Sequence, residues 1–348
     1  MCPRQQLESG YSCARIINGC WQLSVGHGGN RLDRTALMRR FSELADAGFT
    51  TFDCADIYTG VEALLGEFLA GCANADSLQI HTKYVPDLDS LAQLGPRDTE
   101  RIIHRSLKRL QRERLDLVQF HWWDYGIPGY IEAFETLERL RESGKIALLG
   151  VTNFDVRHLS ELLDAGFNVK TLQAQYSLLD RRPEKGMQAF CEAHGISILA
   201  YGVLAGGLLA SAPAAPESSP PNRSHAKYRL LIEETGGPRI FARLRSAISS
   251  VADRHGCTPS MVASAWVLKQ AAVGAVILGI GNRSHVGENL ALSALDLDGQ
   301  DLATIDRALA GLATPRGDVF ELERQPDSRH AANMKMNLNA SENGANSS

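Results

Sequence analysis

The chain lacks a surplus of positive charge, a paired cysteine motif and an unbroken apolar span, and each absence removes a class of function. Lys and Arg number 36 against 40 Asp and Glu, a formal net charge of −4. The sequence as a whole therefore offers no electrostatic footprint for nucleic acid or for an anionic membrane. Seven cysteines (Cys2, Cys13, Cys20, Cys54, Cys72, Cys191, Cys257) are scattered with no CxxC pair. An odd, dispersed set in a long chain reads as reduced thiols, not a disulfide framework, and no ligand spacing suggests a metal. Residues 1–12 contain no apolar run of the signal-peptide kind. The most hydrophobic stretch, 261–281, is interrupted by Lys269 and Gln270 and reads as a helix followed by a buried strand, not a membrane span. The expectation is a cytoplasmic protein with a small-molecule substrate, no nucleic-acid or membrane partner, and a monomer by default.

What is present is an alternation. The composition, 44% hydrophobic and 22% charged, is that of an ordinary globular chain, and 348 residues suit either two average domains or one α/β barrel. Short β-branched or aliphatic runs at 15–21, 50–53, 78–82, 116–120, 146–151, 169–174, 196–201 and 275–278 read as eight strands. Amphipathic segments separate them. One carries Leu37, Met38, Phe41, Leu44 and Ala45 at helical spacing, with Asp33 as N-cap and Gly48 as the stop; another starts at Asp155 and stops at Gly166. Eight strand–helix units predict a parallel sheet with right-handed crossovers, closed into a (β/α)8 TIM barrel. An open doubly wound sheet is the alternative, but no Gly-x-Gly-x-x-Gly follows the first strand. The barrel domain is expected over 14–317, with a long Pro/Ser/Ala-rich loop at 211–227 after strand seven. Residues 318–348 read as a C-terminal loop and tail, disordered from Ala331 onward, where Asn, Ser and Ala dominate.

Barrel chemistry is carried at the carboxyl ends of the strands. There the sequence places Trp21, Asp53, Lys83, His121 followed by Trp122 and Trp123, then Thr152 and Asn153, Gln173, and Tyr201. Singly, each has a bland explanation as a cap, a solvated lysine or a core aromatic. Together, ionisable groups at one mouth would lose hydration, and such groups persist when they pair or react. Asp53, Lys83, His121 and Tyr58, five residues beyond Asp53, form a coherent set. An ammonium beside a phenol favours the phenolate, a carboxylate can hold that ammonium, and a neutral imidazole can orient a carbonyl oxygen. The chemistry this suggests is protonation of an oxygen that becomes an alkoxide, with hydride supplied by a cofactor.

These segments resemble the aldo-keto reductase family. Phe52-Asp53-Cys54-Ala55-Asp56-Ile57-Tyr58, His81-Thr82-Lys83, Asp116 to Trp122, and Gly150-Val151-Thr152-Asn153-Phe154 resemble its blocks in the family's order. The resemblance covers roughly 14–311. It implies an NAD(P)H-dependent enzyme that reduces an aldehyde or ketone, with Tyr58 as general acid, Lys83 and Asp53 tuning it, and His121 orienting the carbonyl. By the same resemblance Thr152, Asn153 and Gln173 would hold the nicotinamide carboxamide and Tyr201 would stack under its ring. The backbone from Leu204 through Gly206 to Leu208 would hold the pyrophosphate, and Glu288 and Asn289 would lie near the adenine. Trp21, Trp122 and Trp123 would wall the substrate pocket.

The sequence departs from the family pattern after strand eight. Gly279 and His285 stand where Lys and Arg are frequent, leaving Arg283 and Ser284 as possible grips on a 2′-phosphate. Position 202 is Gly where Ser is common. Family habit favours NADPH, with NADH open. Two other functions fit the residues: an NAD(P)+-dependent dehydrogenase of a sugar or secondary alcohol, and a cofactor-binding regulatory subunit resembling potassium-channel β-subunits.

Overall fold

The computed structural model describes residues 2–25, 33–210, 223–281 and 284–339. Among the described residues ten strands form, in the order β1 (Arg4–Glu8), β2 (Tyr11–Ala14), β3 (Ile16–Gly19), β4 (Thr51–Asp53), β5 (Gln79–Tyr84), β6 (Leu115–Phe120), β7 (Ile146–Thr152), β8 (Thr171–Gln175), β9 (Ser197–Tyr201) and β10 (Val273–Gly279). β1 and β2 pair antiparallel as a separate hairpin; β3 to β10 are all parallel and close into a barrel, β10 returning to β3. The expected eight-stranded barrel is what forms, and closure excludes the open sheet. The first predicted strand stops at Gly19, and Trp21 starts a short 3-10 turn instead of ending the strand.

The period-two alternation of each strand separates two environments. Along β6, Val118 and Phe120 join the large core between strands and helices, whereas Leu117 joins Ile17, Leu148, Leu199 and Ala275 inside the barrel. Leu7 and Cys13 of the N-terminal hairpin pack onto that inner cluster. This plug is not legible in the sequence, because four- and five-residue strands carry too little periodicity. Both predicted helix caps are present: the Asp33 carboxylate accepts from the backbone N–H of Thr35 and Ala36, and Asp155 accepts from that of His158. The hydrophobic stretch 261–281 divides as expected into the helix Pro259–Leu268 and β10, and among the described residues no helix is long and apolar enough to cross a membrane.

Two regions differ from the sequence reading. Of the long loop expected at 211–227, residues 211–222 lie outside the described residues, and Arg223 onward is helical, in the helix Arg223–Thr235. Its Lys227 and Tyr228 are buried. The polar composition of the segment concealed an apolar face. Of the stretch expected to be disordered from Ala331, residues 331–339 are described and packed. Asn339 donates to the Val85 carbonyl and to the Asp56 carboxylate, and its backbone N–H binds the Asp87 carboxylate; residues 340–348 lie outside the described residues.

The C-terminal segment is tied to the barrel by buried charge. Glu323 Oε1 lies 2.9 Å from Lys227 Nζ, and Glu323 Oε2 lies 3.3 Å from an Arg182 guanidinium nitrogen. Arg182 also pairs with Asp180 at 2.6 Å. Burial alone would raise the Glu323 pKa, but Lys227 and Arg182 outweigh it and hold the carboxyl well below the usual range. The side chains of Arg182, Asp180 and Glu323 are all fully buried. Removing one member therefore strands the others in a low-dielectric setting. Arg182→Met is expected to lower the unfolding free energy by about 3–5 kcal/mol in urea denaturation; a loss under about 1 kcal/mol, the range of exposed ion pairs, would contradict this.

Candidate active site

The β4 strand ends on Asp53 and β5 ends just past Lys83, at the same mouth of the barrel. Lys83 Nζ donates to Asp53 Oδ2 at 2.7 Å and to the Cys54 carbonyl at 2.7 Å. The other carboxylate oxygen, Asp53 Oδ1, accepts from Gln173 Nε2 at 2.6 Å and Gln119 Nε2 at 3.4 Å. Both ions are about 95% buried, so these donors satisfy a carboxylate that water barely reaches. Burial opposes the Lys83 charge, yet Asp53 and Tyr58 overcome it and keep the ammonium above the ordinary lysine range.

Tyr58 lies on the loop after β4, with Lys83 Nζ 5.0 Å from its ring centroid and the Trp21 ring at 4.8 Å. The sequence reading expected Lys83 to bring the phenol's pKa down. Lys83 does pull in that direction, but desolvation outweighs it, and the Tyr58 pKa is pushed up to about 12. At neutral pH the group is a protonated phenol, able to donate and not to act as a base.

His121 follows β6. Its Nδ1 lies 3.1 Å from the Thr152 carbonyl oxygen. A carbonyl only accepts, so Nδ1 carries the proton and donates. Nε2 is then a bare lone pair, buried and without a hydrogen-bond partner among the described residues. Burial first, and the Arg324 guanidinium second, push the His121 pKa down to about 3, so the ring stays neutral. The rings of Trp123 and Phe320 meet it edge-on, at 4.3 Å and 5.4 Å between centroids.

Asp53, Tyr58, Lys83 and His121 line one cavity of about 430 Å³ together with Trp21, Trp123, Thr152, Asn153, Gln173, Tyr201, Leu204, Gly206 and Gly279. Trp122 does not line it. Successive residues leave a strand on opposite sides, and the Trp122 indole turns outward, fully buried, where its N–H donates to the Asp124 and Ile127 carbonyls. Residues that the sequence reading missed complete the wall: Phe320, Met334 and Leu338 from the C-terminal segment, and Arg223, Lys227 and Tyr228 from the helix Arg223–Thr235. No periodicity marks the first group, which is why sequence alone passed over it. Arg324 fixes that segment to the mouth by donating to the backbone carbonyls of Trp122 and Asn153.

Gly202 has φ +70, and a Cβ there would lie 2.1 Å from the Tyr228 hydroxyl. The missing serine at this position is thus matched by a tyrosine entering from the helix. The hydroxyl of Tyr201 donates to Asn153 Oδ1 at 2.9 Å, Thr152 Oγ1 donates to the Gln173 carbonyl, and Gln173 Nε2 is engaged with Asp53. Among the described residues, what remains on the cavity wall is an Asn153 amide N–H and a Gln173 side-chain carbonyl. One donor and one acceptor are what a primary carboxamide requires.

A second cavity of about 240 Å³ shares Leu204, Leu278 and Gly279 with the first and is lined by Glu288, Asn289, His285, Thr258, Ser260 and Arg40. Glu288 Oε2 holds His285 Nδ1 at 2.9 Å. A Cβ at position 279 would lie 2.0 Å from Gln22 Nε2, so a longer side chain there would displace Gln22. Arg40 is the only Lys or Arg among the described residues lining this cavity, and its guanidinium donates to the Gly281 carbonyl. Arg283, the expected phosphate grip, lies outside the described residues.

The model of the Aldo/keto reductase family matches residues 15–310. The NADH-specific methylglyoxal reductase of Escherichia coli K12 is 26% identical over 317 residues, covering 85% of this chain and 94% of that protein. Protein tas of the same organism is 29% identical over 274 residues, 70% of this chain and 78% of its own length. Among solved structures, a glycerol dehydrogenase from Gluconobacter oxydans superposes with a TM-score of 0.75 at 22% identity, covering 90% of this chain and 97% of that one. At that identity the likeness concerns the fold.

The depressed His121 pKa has a measurable consequence. Above pH 6.5 both folded and unfolded chains keep this imidazole neutral; as pH falls the unfolded chain takes up the proton first, so folding loses stability. The stability difference between wild type and His121→Asn is expected to shrink by about 1.4 kcal/mol per pH unit from pH 6.5 to 4. A difference independent of pH in denaturant titrations would mean that His121 titrates normally.

Proposed function

Because the chain belongs to the aldo/keto reductase family, we propose that it reduces an aldehyde or ketone to the alcohol, with Tyr58 as the proton donor. The observation that carries this reading is the buried Asp53–Lys83 pair set against the face of Tyr58. Tyr58 holds its proton until negative charge develops on a substrate oxygen. Lys83 then stabilises the phenolate left behind, and Asp53, itself held by Gln119 and Gln173, keeps Lys83 in place. Trp21, Trp123 and Phe320 give the reacting oxygen an apolar surround, which strengthens these interactions by excluding water.

A nicotinamide dinucleotide bound here would supply the hydride to the carbonyl carbon. The free Asn153 N–H and Gln173 carbonyl fit its carboxamide, the Tyr201 ring offers a stacking face, and Gly206 with its neighbours leaves room for phosphates. The second cavity, with Glu288 and Asn289, suits the adenosine half. We propose that NADH is bound at least as well as NADPH. A 2′-phosphate needs a cationic grip, yet Gly279 is closed off by Gln22, His285 is held by Glu288, and Arg40, the one Lys or Arg among the described residues lining that cavity, already donates to the Gly281 carbonyl. The E. coli relative named as NADH-specific supports the same choice.

Titration with NADH and NADPH, followed by quenching of tryptophan fluorescence, tests this. NADH should bind as tightly as NADPH or more tightly. NADPH tighter by more than about tenfold, or 1.4 kcal/mol, would overturn the cofactor preference; binding of neither would overturn the reductase reading.

A further inference from the structure

Resting on the reductase reading, we infer that Arg324 is a positioning residue for the dinucleotide that acts through Asn153: it holds the backbone turn that aims the Asn153 amide N–H at the cofactor carboxamide. Arg324 lies beyond residues 15–310, the part of the chain that the family model matches. The inference starts from two neighbours that face the same way. Thr152 and Asn153 both line the cavity. In a continuing strand, successive side chains leave on opposite sides. β7 ends at Thr152, and Asn153 takes a left-handed backbone, φ 62. That rotation about the N–Cα bond brings its side chain back to the side of Thr152.

A left-handed φ is unfavourable for a residue with a Cβ, although Asn bears it better than most, so the turn has to be held. The peptides on both sides of the Asn153 Cα are held. The Asn153 N–H donates to the Gln173 carbonyl at 2.9 Å, a contact supplied by the barrel. The Asn153 carbonyl accepts from Arg324 Nη2 at 2.7 Å. The same nitrogen reaches the Trp122 carbonyl and the Tyr125 hydroxyl at 3.1 Å each, so its shortest bond is the one to Asn153. That bond is charge-assisted and correspondingly strong. With both peptides fixed, the φ between them is fixed as well. The side-chain oxygen in turn accepts from Tyr201, which leaves the amide N–H to meet a ligand.

Arg324 is itself kept in place. Its guanidinium lies 4.4 Å from the centre of the Tyr125 ring, and its neighbour Glu323 is buried against Arg182 and Lys227. Arg324 is not among the described residues that line the cavity, so its effect passes through Asn153 and not through contact with the cofactor. Without it the left-handed turn loses one of its two backbone clamps, and the amide is free to swing away from the carboxamide.

The test is a double-mutant cycle on the full chain, read by titration with whichever of NADH or NADPH it binds, through tryptophan fluorescence. Arg324→Ala should weaken dinucleotide binding by about tenfold while Asn153 is present. Asn153→Gly removes the amide but takes the left-handed turn without strain. In that background Arg324→Ala should change the affinity by less than about twofold. An arginine that merely fastened the C-terminal segment would weaken binding by the same factor in both backgrounds. Arg324→Gln keeps a side-chain amide donor, and it carries the same cycle if the alanine variant does not fold. Equal losses in the two backgrounds, or a loss under about twofold with Asn153 present, overturn the inference and leave the reductase reading intact. Binding of neither dinucleotide by the wild type overturns both.

Discussion

A lysine and an aspartate in contact at the mouth of a closed barrel, both almost fully withdrawn from water, impose the arrangement around them. Neither charge is tolerable alone, and their mutual attraction offsets desolvation only when the remaining polar atoms are also satisfied. Gln119, Gln173 and the Cys54 carbonyl provide this, drawing β6, β8 and the loop after β4 toward one point. That loop carries Tyr58. The position of the phenol thus follows from how a buried ion pair must be solvated by protein.

The same pressure acts on two other groups that line the cavity, Tyr58 and His121. Burial raises the tyrosine's pKa and lowers that of the histidine, so neither is charged at neutral pH. The site keeps its charge on Asp53 and Lys83 and presents to the cavity a neutral donor and a neutral acceptor. The C-terminal segment contributes to this enclosure. Phe320 covers His121, Arg324 binds the carbonyls behind it, and Glu323 anchors the segment through Arg182 and Lys227.

Residues at strand ends were legible in the sequence because the barrel fixes where strand ends go. Asp53, Lys83, His121, Asn153, Gln173 and Tyr201 could be placed at one mouth from periodicity alone, and the structure puts them there. Side-chain direction was less legible. Trp122 and Trp123 are adjacent and alike, yet strand alternation sends one outward and the other into the cavity. Segments that pack without regular periodicity were not legible. The hairpin β1–β2 is too short to show a pattern, and Phe320, Glu323 and Arg324 lie in a stretch whose order comes from tertiary contacts. The histidine tautomer depends on a carbonyl 31 residues away and is visible only in three dimensions.

The central claim is that Tyr58, set by the Asp53–Lys83 pair, delivers the proton. It is tested most directly by Tyr58→Phe, which removes one oxygen and preserves the ring packed against Trp21. The account predicts that carbonyl reduction falls by about 10²–10⁴-fold while cofactor affinity, read by fluorescence, stays within about twofold. Turnover within about threefold of wild type, with cofactor bound normally, would contradict it.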